Sequence, residues 1–297
     1  MGLIEGRGKN YGVEHLLSSE SGFLDELLEK RLHLSPERVH FLRDFGSVYV
    51  NHKRCLENVQ IQRNTYLRVH QNPRRFPTEL FQWPEQKVFE NESFLILDKP
   101  SGLPVPATVD NLKENLSQLL SQTLLHTVHV THRLDVATSG LIIFAKNKKN
   151  QSEINQKLAK SEIRKLYRAL VHGENPPLGE LIHFMEPSPR APKTVCKNPQ
   201  SGWAECRLRI LRQKKFSPNF SEIEIELITG RTHQIRAQLA AAGFPIVGDR
   251  LYGSALQLAP YEKIGLQAFD LAFDFESENF TFQLAESPWQ NPSFPCL

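Results

Sequence analysis

An arginine and an aspartate, Arg133 and Asp135, stand two residues apart in the stretch VHVTHRLDVATSGLIIFAK, just before an apolar run that reads as a core strand. On extended backbone, residues i and i+2 project to the same side, so these two side chains can meet each other or share one ligand. A guanidinium there can pair with the carboxylate, or it can reach a phosphate or a base edge. Asp135 precedes Thr138-Ser139-Gly140, and Gly140 permits a tight or closely packed backbone position at the strand entrance. That places the carboxylate at a sheet edge, where a rigid scaffold can hold a reacting group. An aspartate before a turn also commonly bonds local amides. Thr138 and Ser139 suit local hydrogen bonding better than nucleophilic attack, because no base lies at useful spacing. His132 projects the other way and reads as a structural hydrogen-bonding residue.

Two further clusters carry candidate chemistry. In RKLYRALV, alternation puts Lys165 and Tyr167 on one side. A tyrosine among Arg164, Lys165 and Arg168 can stack on a base while its neighbours hold phosphates; a half-buried sheet aromatic is the plain alternative. In TGRTHQIRAQLAAAG a strand ends at Thr229-Gly230, and Thr232 is placed to start a helix with Thr232, Ile235, Arg236 and Leu239 near one face. Arg236 within that apolar stripe requires a carboxylate or phosphate partner, since burying it alone is expensive. Arg231 at the helix entrance is a candidate phosphate contact. GFPIVGDRLYG follows as a restrained loop, in which Asp249 and Arg250 are expected to pair with each other. The chain has no strand-GxGxxG-helix unit, no HExxH and no GxSxG elbow, so nucleotide-fold, metallohydrolase and serine-hydrolase readings have no support.

The elements that must position these residues fall into two groups. FLDELLEKRL and SPERVHFLRDFG have apolar residues at helical spacing, the second with a serine-proline start. Short alternating strands around Asn51-His52 follow. We delimit a small module at 15–70, a proline-bearing linker at 71–86 and a main body at 87–297. In the main body FLILDKPSG is a buried strand entering a turn, Asn111–Gln122 carries a helical stripe and LIIFAK is a strand. Lys148–Ser161 is a basic amphipathic helix, and alternating strands occupy IRKLYRALVHG, WAECRLRILRQ, SEIEIELITG, LQAFDLAFDF and FTFQLA. Strands dominate without the regular crossovers of a parallel α/β domain. The fold class is therefore α+β, with a mixed, largely antiparallel sheet and flanking helices.

The 297 residues suffice for one large domain and a small one. A formal charge of +3 says little about partners, but its distribution is uneven. Lys146–Arg168 holds eight basic residues and two acids, and Ser188–Pro218 holds eight and one. Such runs can draw a polyanion to one face, or form a solvated basic surface. Cys55, Cys196, Cys206 and Cys296 have neither metal-ligand spacing nor a disulfide framework. No signal peptide or membrane-length apolar run is evident. The expectation is a soluble, cytoplasmic monomer without membrane attachment, with the polar opening GLIEGRGKN outside the fold.

HRLDVATSGLIIFAK, KLYRALVHG and GRTHQIRAQLAAAGFPIVGDRLYG, in that order, together resemble the RluA-type pseudouridine synthases, and FLILDKPSGLPV looks like that family's opening strand and turn. The resemblance runs from about Glu90 to Leu284. It implies isomerisation of uridine to pseudouridine within RNA: the N1–C1′ bond breaks, uracil turns, and C5 joins C1′. It also implies that Asp135 is the essential aspartate, Tyr167 the tyrosine stacked on the target base, and Arg236 the basic partner of the carboxylate. Arg133 would help displace the base; Arg231, Lys165 and Thr138 would line the substrate path. No metal or organic cofactor is implied. The physics agrees: unstacking a base costs a few kcal/mol, an aromatic plate returns ~1–3 kcal/mol, and an Arg236 salt bridge in a dry cleft would keep Asp135 ionised and in place. Carbon attack and a glycal route both begin with this carboxylate.

Three positions depart from the family pattern. Gln238 stands where histidine is frequent, Pro104-Val105-Pro106 replaces a histidine-containing turn, and VATSG has no arginine after the aspartate. The N-terminal module resembles an S4-type RNA-binding domain, with ERVHFLRDFGSVYVNHKR as second helix, turn and hairpin and His52 in the usual glycine place. Ribosomal RNA is the favoured substrate by that analogy, and transfer RNA stays open. The alternative is a catalytically inactive RNA-binding or ribosome-assembly protein that retains the fold.

Overall fold

Alternating apolar residues in the C-terminal two-thirds of the chain build one large sheet, and short runs near the N-terminus build a small one. The computed structural model describes residues 12–258 and 263–290. Cys296 and the opening GLIEGRGKN lie outside the described residues. By internal packing the chain divides into two units: Met1–Thr78 with Pro106–Leu119, and Glu79–Val105 with Leu120–Leu297.

The first unit pairs a strand at Val13–Leu17 with one at Tyr66–His70, which pairs in turn with Val48–Val50 and its hairpin partner Lys53–Arg54. Helices α1 (Leu24–Leu32) and α2 (Pro36–Asp44) pack beside them. As the serine-proline signal implied, Ser35 accepts a hydrogen bond from Arg38 N and Pro36 opens the helix. Leu24, Leu28, Val39, Leu42, Val48, Leu67 and Val69 close a core, and Arg43 binds Asp25 with two nitrogens to tie the helices together. Asn51 and His52 both have positive φ, 46° and 67°, as a two-residue hairpin turn demands. The expected linker 71–86 divides at Thr78 between the units. Arg74 and Arg75 are ion-paired to Asp110 and Glu114, two acids of the later segment that folds with this unit.

Helix α3 spans Leu116–Leu124 rather than Asn111–Gln122. Asn111 and Asn115 bend the chain ahead of it: Asn111 Oδ1 accepts from Lys113 N and Glu114 N, and Asn115 Oδ1 accepts from Gln118 N, so the stripe begins only after the cap.

The second unit carries an 11-stranded sheet. Its central order runs from Gly179–Met185 through Ala204–Ser217, Phe220–Leu227, Arg164–His172, Leu266–Phe275 and Ser139–Ala145 to Phe94–Lys99. Every named pairing is antiparallel except that of Ser139–Ala145 with Leu266–Phe275. That parallel junction has only two registered pairs, Ser139 with Gln267 and Gly140 with Ala268. Gly140 has φ 111°, and a Cβ there would lie 2.1 Å from Ala268 O, so only glycine allows the approach. The strand Gly179–Met185, which is not among the expected strands, is held in the sheet by its register with the long strand Ala204–Ser217.

Helix α4 (Lys148–Ala159), capped by Asn147 accepting from Asn150 N, lays Ile154 on one face of the sheet against Phe94, Ile143, Leu271 and Phe273. Helix α5 (Gln234–Ala241) is buried on all sides, with every residue from Gln234 to Leu239 inside. No helix among the described residues is long and apolar enough to cross a membrane.

Candidate active site

The parallel junction brings the starts of the strands Ser139–Ala145 and Leu266–Phe275 together, and a cavity of about 250 Å³ with Thr138 and Leu266 in its walls opens beside it. Its walls include His132, Arg133, Asp135, Thr138, Lys165, Tyr167, Gly230, Arg231, His233 and Gln234. All seven residues singled out in the sequence are in or against it, although they come from three separate segments. The volume falls short of the roughly 300–1,000 Å³ of sites for drug-sized ligands.

Asp135 sits on a turn closed by Thr138 N donating to its own carbonyl. The turn is fastened from behind by the Lys99-Pro100-Ser101-Gly102 segment. Lys99 Nζ donates to Pro100 O at 2.8 Å and Val136 O at 3.2 Å, Gly102 N donates to Val136 O, and Ser101 Oγ donates to Ala137 O. Lys99 is fully buried, and burial pushes its pKa down to about 7 despite the opposing pull of Asp135 and Asp98. Burial likewise pushes the Asp98 carboxyl up to about 6. Lys99 gave no signal in the sequence because it reads as the polar end of an apolar strand.

Arg236 is buried, and the expected carboxylate partner is two carboxylates. Its Nε and Nη2 donate to Asp249 at 2.7 and 2.9 Å, and its Nη1 donates to Asp135 Oδ2 at 3.1 Å. Burial opposes the charge, but the hydrogen bonds and proximity of Asp249 and Asp135 more than offset it and hold the guanidinium protonated. The expected Asp249–Arg250 pair does not form. Asp249 is spent on Arg236, whereas Arg250 donates to Gln257 Oε1, because buried Arg236 needs the carboxylate more than exposed Arg250 does.

Arg133 is exposed and donates to Thr232 Oγ1 at 2.7 Å; among the described residues no carboxylate pairs with it. Thr232 therefore lies outside the helix it was expected to start. Helix α5 begins two residues later, because Gln234 Oε1 takes the amide of Arg231 and the hydroxyl of Thr229, fixing the Thr229–Arg231 rim. His132 accepts from Ile143 N at 3.2 Å, and burial, then the charge of Lys165, pushes its pKa down to about 3.

Tyr167 projects into the cavity from a strand irregularity between Leu166 and Tyr167, where pairing with Leu266–Phe275 slips by one residue. Burial, then the charge of Asp135, pushes its hydroxyl pKa upward, so the ring stays neutral. Lys165 stands beside it with Nζ over Gly230, and burial lowers its pKa. Among the described residues no carboxylate pairs with Lys165 or Arg231. Thr138 is buried with its backbone in the Asp135 turn.

The long basic run behaves differently. Arg207 and Arg209 both bind Glu180, Arg209 also binds Glu226, and Lys215 binds Glu174, so acids of neighbouring strands and of one loop neutralise much of Ser188–Pro218. The departure at Gln238 also finds its reason: its amide donates to Leu181 O and Cys206 O, and its oxygen accepts from Gln234 Nε2. Among the described residues no cluster of histidine, cysteine or carboxylate side chains has metal-binding geometry.

Comparison with known proteins decides the family. The RNA pseudouridylate synthase profile matches residues 93–241, the segment that contains Asp135, Tyr167 and Arg236. The chain belongs to this family. It is 37% identical over 218 residues to the chloroplastic RNA pseudouridine synthase 6 of Arabidopsis thaliana, covering 66% of this chain and 46% of that protein. The Oryza sativa protein of the same name is 30% identical, covering 78% of this chain and 61% of its own length. The chain thus spans about half to three-fifths of these two plant relatives. The dual-specificity RNA pseudouridine synthase RluA of Salmonella typhimurium is 29% identical over 66% of this chain and 91% of its own length. Among solved structures, human RNA pseudouridylate synthase domain containing 4 superposes with a TM-score of 0.55 at 19% identity, over 69% of this chain and 90% of that one. That likeness speaks for a shared fold, the mixed and mostly antiparallel α+β sheet anticipated from the strand pattern.

Proposed function

We propose that this pseudouridine synthase family member isomerises specific uridines of structured RNA to pseudouridine in the cavity around Asp135. The observation that carries the reading is a single carboxylate held by Arg236 at 3.1 Å in the same cavity as an aromatic ring and three cations, Arg133, Lys165 and Arg231, that have no carboxylate partner among the described residues. A glycosidase needs a second acid–base carboxylate at the bond, and Asp249, the other carboxylate near Asp135, is spent on Arg236.

Each residue then has a defined task. Asp135 acts on the ribose, as nucleophile at C1′ or as base toward a glycal. Arg236 orients that carboxylate. Tyr167 stacks on uracil while it turns from N1 to C5 linkage. Lys165 and Arg231 take the flanking phosphates, Arg133 enters the space left by the extruded base, and Thr138 holds the turn beneath it. No metal or organic cofactor enters the scheme. The first unit grips RNA as an S4-like module: His52 stacks on Tyr66 at 4.5 Å on a hairpin that carries Lys53. Ribosomal RNA is the favoured substrate and transfer RNA the second.

The test is tritium release from unmodified ribosomal and transfer RNA labelled at uridine C5, since joining C5 to C1′ frees that hydrogen. Release by the parent from one RNA class, with Asp135→Asn slower by about 10³-fold or more at unchanged RNA affinity, is the expected result. RNA binding without release from either class would instead favour an inactive RNA-binding protein.

A further inference from the structure

His233 occupies the N-cap of α5 with φ 58°, a left-handed conformation that residues with a Cβ avoid. That backbone holds the imidazole between two functional groups. Its Nε2 lies 3.8 Å from Asp135 Oδ2, and its Nδ1 lies 3.0 Å from the hydroxyl of Tyr252. The same hydroxyl accepts a hydrogen bond from Lys193 N at 2.8 Å. Among the described residues it has no further partner, so its own proton has one acceptor within reach, His233 Nδ1. A neutral imidazole that accepts at Nδ1 carries its hydrogen on Nε2, and Nε2 faces the carboxylate.

We propose that His233 is a positioning residue for Asp135, and that its tautomer is set by a chain running from the Lys193 amide through the Tyr252 hydroxyl. Arg236 and His233 both address Oδ2 of Asp135. The other oxygen, Oδ1, has no hydrogen-bond partner among the described residues and is left to meet the ribose. The chain starts on the loop between the strands Gly179–Met185 and Val195–Cys196, which carries Arg190 and Lys193, so the seating of a basic surface loop is transmitted to the reacting carboxylate. Burial supports the assignment, because it raises the Tyr252 pKa and lowers that of His233, keeping the hydroxyl protonated and the ring neutral. The charged groups facing the ring are Asp135, Asp249, Arg236 and Lys193, two of each sign.

The inference rests on the reading of Asp135 as the reacting group, and its test separates the two. In the full-length chain, nitrogen-15 spectra of the histidine rings should show His233 protonated at Nε2 and bare at Nδ1, and Tyr252→Phe should drive it toward a mixture of tautomers. A parent His233 with its hydrogen on Nδ1, or on both nitrogens at neutral pH, overturns the inference whatever the activity. The kinetic arm uses single-turnover tritium release. Tyr252→Phe should slow the chemical step roughly 5- to 10-fold without changing RNA affinity, but less than about twofold in a His233→Gln background, where the amide donor has no tautomer to choose. Equal slowing in both backgrounds overturns the inference, since the Tyr252 hydroxyl would then act without His233, through its hydrogen bond from Lys193 N. A parent that releases no tritium while its spectra show the Nε2–H ring overturns the catalytic reading alone.

Discussion

Arg209 and Arg236 each lie between two carboxylates, Arg209 on an open sheet face and Arg236 inside the second unit. Arg209 reaches Glu180 at 3.0 Å and Glu226 at 3.3 Å, and its side chain is 48% exposed. Arg236 reaches Asp249 at 2.7 Å and Asp135 at 3.1 Å, and is 8% exposed. The pair chemistry is the same; the solvent differs. Water can replace either partner of Arg209, so that pairing contributes little and is screened by salt. Nothing replaces the partners of Arg236, so the fold must supply both, and the second of them is fixed in place beside the ring of Tyr167. Ion pairs on the surface balance charge, whereas the buried set orients a reacting group.

The comparison can be broken most severely at Asp249. Asp249→Ala should cost about 3–5 kcal/mol of stability by removing the two-nitrogen partner of a buried guanidinium, read as a lower midpoint in urea unfolding. A loss under about 1 kcal/mol would mean that water reaches Arg236 and that the two regions do not differ. Next in size, Tyr167→Ala should raise the barrier of single-turnover release by about 1–3 kcal/mol, with Tyr167→Phe close to the parent because the ring remains. Equal loss in both variants would assign the effect to the hydroxyl. Smaller again, Lys165→Ala and Arg231→Ala should each weaken RNA binding and lower its salt slope by about 1. The smallest effect belongs to Arg209→Ala, which should change stability by no more than about 1 kcal/mol and leave the RNA salt slope unchanged. A slope as low as that of Lys165→Ala would put the sheet face on the RNA path and erase the distinction.

Charge counting along the chain did not separate these regions. The run Ser188–Pro218 is the more basic, yet its arginines meet acids that alternation places on neighbouring strands, Glu180 from one side and Glu226 from the other. Lys165 belongs to the other run and keeps no acid partner among the described residues. Where local pattern and final environment coincide, the sequence reading held: the Ser35-Pro36 start of α2, the buried strand Phe94–Lys99 and the close approach at Gly140 each depend on one residue and its immediate neighbours. It slipped where a side chain distant in sequence intervened. Gln234 shortens α5 by capturing the rim ahead of it, and Asp249 leaves its sequence neighbour for an arginine thirteen residues earlier.

The amino-acid order by itself determined that the main body is an antiparallel-rich α+β unit, that Arg133 and Asp135 share a side, and that Arg236 requires an anionic partner, because propensity, alternation and the cost of a bare buried charge act over a few residues. The tertiary structure alone decided which anions those are and what else joins them. Lys99 under the Asp135 turn, Tyr252 behind His233 and the empty flank of Lys165 arise from the packing of the whole unit, which brings residues 19 to 101 positions apart to within a hydrogen bond of each other. Burial then sets the worth of each contact, and burial is a property of the whole packed chain, absent from any stretch of it.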